Sequence, residues 1–280
     1  MSESLITPEL PRLGRLRGRT TIVTGGGSAG EMPGSGAAMA VLFASEGANV
    51  AILDIDEVRA RHTHEAIQKS GDSSIVVIAD VTDIGQCATG ASQAIEAFGR
   101  VDVLVNNAGI APDERANADD LYQKVIDLNL RAAKIMSDAC IPHMQEIGAG
   151  SIVMISSGCS TLGGGGIAYS ASKAGLVGMA RAMAFKYGRT GIRVNVVSPG
   201  HVALPMGLGY EGWEDGVNQR VLRAQASMLG TEGDGWDVAY AALYLASAES
   251  RYVTAASITV DGGAHSAMPL VMHPYLSEAV

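Results

Sequence analysis

The sequence predicts an α/β protein: one domain on a doubly wound parallel sheet of about seven strands, with helices on both faces. Three observations predict it. Short apolar runs alternate with longer helical patterns along the chain. Most of those runs are unbroken Val/Ile/Leu stretches, as strands buried on both faces require. No Pro- or Ser-rich linker and no internal repeat divides the 280 residues, so repeated β–α crossovers build a single sheet.

Strands are expected near Thr20–Val23, Asn49–Leu53, Ile75–Ala79, Val101–Asn106, Ser151–Ile155, Arg193–Val197 and Ser257–Val260. Helices are expected over Ala37–Ser45, Glu57–Lys69, Ile84–Phe98, Asp119–Ile147, Tyr169–Tyr187 and Asp234–Ala246. The domain spans residues 17–263, with tails at Met1–Leu16 and Ala264–Val280 outside the sheet pattern. His201–Gly230 is the least regular segment and is read as a substrate-side lid, because long irregular stretches inside compact domains are usually functional.

Composition removes several function classes. The formal charge is −9 and no dense Lys/Arg run occurs, which disfavours nucleic acid and anionic membrane, since both need a concentrated positive patch. Cys87, Cys140 and Cys159 are scattered, with no C-x-x-C pair; that suits a reducing compartment and gives neither a disulfide framework nor a zinc knuckle. His62 and His64, two apart, fall on different sides of a helix, so no metal is expected. No apolar run spans a bilayer, and Met1–Pro11 lacks the apolar centre of a signal peptide. A soluble, cytoplasmic protein is the expectation.

The stretch Thr24–Gly36, "TGGGSAGEMPGSG", joins the first strand to the first helix. Glycines there let backbone approach a pyrophosphate, while the helix offers free N–H groups and its positive dipole end. An acidic residue about 20 residues beyond the last glycine then grips the adenosine ribose. Asp54 closes the second strand 18 residues after Gly36 and 24 after Gly30. The spacing selects Gly25, Gly34 and Gly36, with Ser28 and Ser35 beside them, and makes Ala29–Pro33 an insertion. A carboxylate at Asp54 accepts bonds from a 2′-hydroxyl and repels a 2′-phosphate. Ile55 follows it and Ser28 stands where a basic residue would serve NADP, so NAD is the expected cofactor.

"YSASK" puts Tyr169 and Lys173 on one helix face, a turn apart. A phenol near pKa 10 is a poor acid–base catalyst at neutral pH, and a neighbouring cation lowers its pKa. Ser156-Ser157 closes the preceding strand, at the sheet edge where α/β folds bind ligands.

In these motifs the chain resembles the short-chain dehydrogenase/reductase family from about Arg17 to Gly263. The glycine loop, "LDID", "ADVT", "NNAG", "LNL", "ISS", "YSASK", "SPG" and "VDGG" follow in family order. The resemblance implies a Rossmann-like fold and hydride transfer between a secondary alcohol or ketone and NAD. It implies that Tyr169 moves the proton, Lys173 binds the nicotinamide ribose and acidifies Tyr169, and Ser157 bonds the reacting oxygen. Asn129 would hold a water leading toward Lys173. Asp80 and Val81 would contact adenine, and Asn107, Ala108 and Gly109 would lie along the cofactor. Pro199, Gly200 and Val202 would position the nicotinamide. A homotetramer pairing the long helices is also implied.

The chain departs from the family in three places. Ala29–Pro33 has no counterpart, and Glu31 would be repelled by a pyrophosphate, so the insert is expected to bulge outward with Pro33 stiffening its return. Ser157 precedes Tyr169 by 12 residues, one fewer than expected; Ser156 restores the count, strand alignment favours Ser157, and Ser160 is a remote alternative. Leu204 stands where a threonine often touches the carboxamide. Cys159 and His201 are read as loop residues, Trp236 as packing, Trp213 as a cover for an apolar substrate, and Glu211, Glu214 and Asp215 as a solvated face. Arg220 and Arg223 share a helix face, with a surface role preferred over anion binding. Two rival functions share the motifs. A catalytically inactive dinucleotide-binding sensor or scaffold would not need Ser157, Tyr169, Lys173 and Asn129 together. A nucleotide-sugar epimerase would need a longer segment than the one after Gly263.

Overall fold

Seven strands pair in parallel in the computed structural model, which describes residues 5, 7–10, 12–111, 118–205 and 216–267. They are β1 (Thr20–Thr24), β2 (Asn49–Asp54), β3 (Ser74–Ile78), β4 (Val103–Asn106), β5 (Gly150–Ile155), β6 (Ile192–Pro199) and β7 (Ser257–Val260). Their order across the sheet is β3-β2-β1-β4-β5-β6-β7. The order reverses between β1 and β4, where Val23 pairs with Val105. Ligands of open α/β sheets bind beyond the strand C-termini at such a reversal.

Successive residues of each inner strand serve opposite cores. Val50 and Ile52 join one apolar cluster, and Ala51 and Leu53 the other. The period-two geometry of a strand makes this unavoidable, which is why a doubly covered strand reads as an unbroken apolar run. One cluster is closed by α1 (Ser35–Ser45), α2 (Glu57–Lys69) and α8 (Gly235–Ala246). The other is closed by α3 (Ile84–Phe98), α5 (Ala132–Ile147) and α6 (Ile167–Tyr187). Helix α1 is buried from Gly36 to Ser45, so it is apolar all round rather than amphipathic.

The structure corrects the sequence reading in two places. The helix expected unbroken over Asp119–Ile147 is α4 (Ala118–Ile126), a π-helical turn at Asp127–Arg131, and then α5. The expected irregular lid contains a regular helix, α7 (Gly216–Ala226); Glu211, Trp213, Glu214 and Asp215 lie outside the described residues. In the N-terminal segment, Leu16 is fully buried, and Arg15 bonds the buried Glu46 through both its N–H and its guanidinium.

Candidate active site

The glycine loop is shaped by contacts that admit no side chain. Gly25 has φ of +62°, the left-handed region that favours glycine. A Cβ there would stand 2.9 Å from the Ala108 Cα, and one on Gly36 would stand 2.0 Å from the Gly25 carbonyl oxygen. A Cβ on Gly34 would meet nothing. Asn107 ties the pieces together: its Nδ2 donates to the carbonyls of Thr24 and Gly25, and its Oδ1 accepts from Ser35 Oγ. Gly34 gives α1 no side-chain cap, and its first turn holds no acidic residue. Its leading N–H groups and dipole end are therefore available to an anion.

Asp54 borders this loop from the end of β2. Its Oδ2 accepts from the Gly27 N–H at 2.9 Å and its Oδ1 from the Asp56 N–H at 3.0 Å. Each oxygen keeps a second lone pair for a ligand hydroxyl. The insert borders the cleft only through Ala29: Glu31 and Met32 are exposed and off it, while Pro33 is buried with its carbonyl against Gly235.

Lys173 is buried, and its Nζ donates to the Ile155 carbonyl at 2.9 Å, 5.5 Å from the centre of the Tyr169 ring. Desolvation lowers its pKa to about 8, against a smaller opposing effect of Cys159. The glycine run after Cys159 absorbs the short spacing from Ser157, with Gly164, Gly165 and Gly166 all at positive φ. A Cβ on Gly165 would stand 2.9 Å from the Tyr169 ring. Ser156 is buried and donates to the Lys173 carbonyl, so it serves α6; the half-buried Ser157 accepts from the Cys159 N–H.

One cleft of about 1170 Å³ joins these groups. Gly25, Ser28, Gly34, Ser35, Gly36 and Asp54 line one end; Asp80, Val81, Asn107, Ala108 and Gly109 line its length. Ser157, Tyr169, Lys173, Pro199 and Gly200 line the other end, with Leu204 in the place of the expected threonine. Two expected residues are not on it. Val202 packs into the apolar core, because its N–H turns back to the Gly200 carbonyl. Asn129 lies behind the wall in the π turn: its Oδ1 accepts from the Ile110 N–H, and its Nδ2 donates to the Ile110 carbonyl and Ser172 Oγ. Its side chain thus fixes the β4 loop.

Sequence reasoning missed Arg59, Lys124 and Arg131, which also line the cleft. It also misjudged Arg223, whose side chain is buried; with Arg220 it clasps Glu232, at 2.6 and 2.8 Å. Among the described residues no metal-ligand cluster occurs, and no helix is long and apolar enough to cross a membrane.

A family model described as enoyl-(acyl carrier protein) reductase matches residues 29–265. An uncharacterized short-chain type dehydrogenase/reductase of Sinorhizobium fredii is 38% identical, over 89% of this chain and 98% of its own length. The (+)-borneol dehydrogenase 2 of Salvia officinalis is 35% identical, over 89% of this chain and 90% of its own. A 7α-hydroxysteroid dehydrogenase solved with NADH and 7-oxo glycochenodeoxycholic acid superposes with a TM-score of 0.80 at 31% identity, over 89% and 95% of the two chains. Fold, motifs and relatives agree that this chain is an oxidoreductase of the short-chain dehydrogenase/reductase family.

Proposed function

We propose that the protein transfers a hydride between a secondary alcohol or its ketone and NAD. The observation that carries this reading is the single cleft with Asp54 at one end and the Tyr169–Lys173 pair at the other. Hydride chemistry belongs to the nicotinamide when it is bound; the chain's own residues bind, orient and move the proton. The glycine loop and the α1 N-terminus hold the pyrophosphate, and Asp54 takes the adenosine ribose hydroxyls. Ser157 donates to the reacting oxygen. Tyr169 exchanges the proton with that oxygen, and the Lys173 ammonium favours the phenolate.

The substrate class follows from what surrounds Tyr169. Gly165 lies against the Tyr169 ring and Gly158 beside Pro199 and Gly200, neither projecting a side chain, and Leu204 and Pro205 on the cleft are apolar. That end of the cleft suits a bulky alicyclic alcohol or ketone; the sage relative is named for borneol, and the hydroxysteroid dehydrogenase was solved with 7-oxo glycochenodeoxycholic acid. The test is a panel of alicyclic, linear and charged alcohols with NAD, read at the NADH absorbance band. Turnover concentrated among the ring alcohols is expected. A panel with no NADH formation, and no consumption with the matching ketones, overturns the reading.

A further inference from the structure

Gly200 lines the Tyr169 end of the cleft, where the nicotinamide lies when Asp54 takes the far ribose. What holds this glycine in place is the exit of β7, the outermost strand on that side of the sheet. Pro199 pairs with Val260, and the Gly200 N–H donates to the Val260 carbonyl at 2.9 Å. Asp261 then packs so closely on the glycine that a Cβ on Gly200 would stand 2.3 Å from the Asp261 Cβ.

The Asp261 carboxylate closes the turn that follows. Its Oδ1 accepts from the Gly263 N–H and its Oδ2 from the His265 N–H, both at 2.8 Å, and the side chain is only 5% exposed. Gly262 and Gly263 have φ of +60° and +86°, the left-handed region in which glycine turns a chain back. Folded back this way, the turn meets the residues just after α7. A Cβ on Gly262 would stand 2.2 Å from Ser227 Oγ, and one on Gly263 would stand 3.0 Å from Met228 Sδ. Ser227 Oγ also donates to the Gly262 carbonyl and accepts from the Leu229 N–H. One short turn thus touches the cleft wall on one side and the foot of α7 on the other. Neither Asp261 nor Ser227 lines the cleft itself.

We propose that Asp261 is a positioning residue for the hydride step: its turn fixes Gly200 against the nicotinamide ring and ties the foot of α7 to that wall. The inference rests on the dinucleotide reading of the cleft. The adenosine half is gripped elsewhere, by the glycine loop and by Asp54 at the end of β2. Loosening the turn therefore frees the ring and leaves that other half held.

The experiment compares the wild type, Asp261→Ala, Asp261→Asn and Asn195→Ala by melting curve, by titration with ADP-ribose and NADH, by the emission of bound NADH, and by turnover of the best alcohol in the panel. Asn195 is the control: its Nδ2 donates to the Val253 carbonyl and its Oδ1 accepts from the Ala256 N–H. Its loss loosens the approach to β7 at the opposite end of the strand and leaves the turn alone. Asp261→Ala should bind ADP-ribose within about twofold of the wild type, as expected of a distant site. It should lose most of the emission gain of bound NADH and about 10²-fold in kcat, the order a 1 Å misplacement costs. Asp261→Asn keeps one acceptor oxygen and should fall between; it decides the matter on the same readings if the alanine variant does not fold. Asn195→Ala should melt earlier with emission and kcat near those of the wild type. Wild-type emission and kcat in the Asp261 variants, equal losses in Asn195→Ala, or ADP-ribose affinity falling as far as NADH affinity overturns this inference alone. A wild type that binds neither ADP-ribose nor NADH overturns the function reading as well.

Discussion

Tyr169→Phe is expected to lower turnover by roughly 10³-fold or more, the upper range for a positioned acid–base group, while NADH affinity stays within about threefold. Phenylalanine keeps the ring that lies 5.5 Å from the Lys173 Nζ and packs against Gly165. Only the ionisable oxygen is lost, so the cleft keeps its shape and loses its proton carrier. Steady-state rates beside a nucleotide titration separate the two effects. Near-normal turnover in this variant would remove Tyr169 from the proton path.

Gly36→Ala is expected to cut dinucleotide affinity by roughly 10²-fold or more, the order a 1 Å misplacement costs in an organised site. The new Cβ would stand 2.0 Å from the Gly25 carbonyl oxygen and 2.5 Å from Asn107 Nδ2. Neither can give way without breaking the bond that Asn107 Nδ2 makes to Gly25. The control is Gly30→Ala, off the cleft, where a Cβ meets nothing within 4 Å; it should bind within a few-fold of the wild type. Calorimetric titration with NADH, alongside melting curves of both variants, distinguishes a distorted cradle from a destabilised α1. Equal affinities for the two variants would contradict the close approach at Gly36.

The sheet was legible because its inner strands are buried on both faces. Val50-Ala51-Ile52-Leu53 must be apolar throughout when alternate residues enter two cores. The spacing of Asp54 from Gly36 pointed to a glycine that the structure crowds, but it also selected Gly34, which like Gly30 stands in open space, and passed over Gly27, which lies against Arg59. Three features had no local signature. The π turn at Asp127–Arg131 is a shift in backbone hydrogen bonding, and its residues "DLNLR" are ordinary helix residues in composition. The burial of Leu16 arises from packing of the N-terminal segment on distant elements, including the bond of its N–H to the Glu46 carbonyl. Arg59 reaches the cleft only because Gly27 and Ser28 lie against the first turn of α2. Val202 had no local signature of its place either: its N–H bonds the Gly200 carbonyl and its side chain joins the core rather than the cleft lining.

The central claim is that Lys173 makes Tyr169 acidic enough to work near neutral pH, and the direct measurement is the pH dependence of alcohol oxidation in wild type and Lys173→Met. Burial lowers the lysine itself to about 8, so its charge, and the stabilisation it lends the phenolate, is present below that value and lost above it. In the wild type the rate should climb with pH well below the ordinary phenol value of about 10. Removing the cation should move that climb upward, toward about 10, because the phenolate loses its stabilising charge. A Lys173→Met profile that overlays the wild type would show that the lysine does not set the acidity of the phenol.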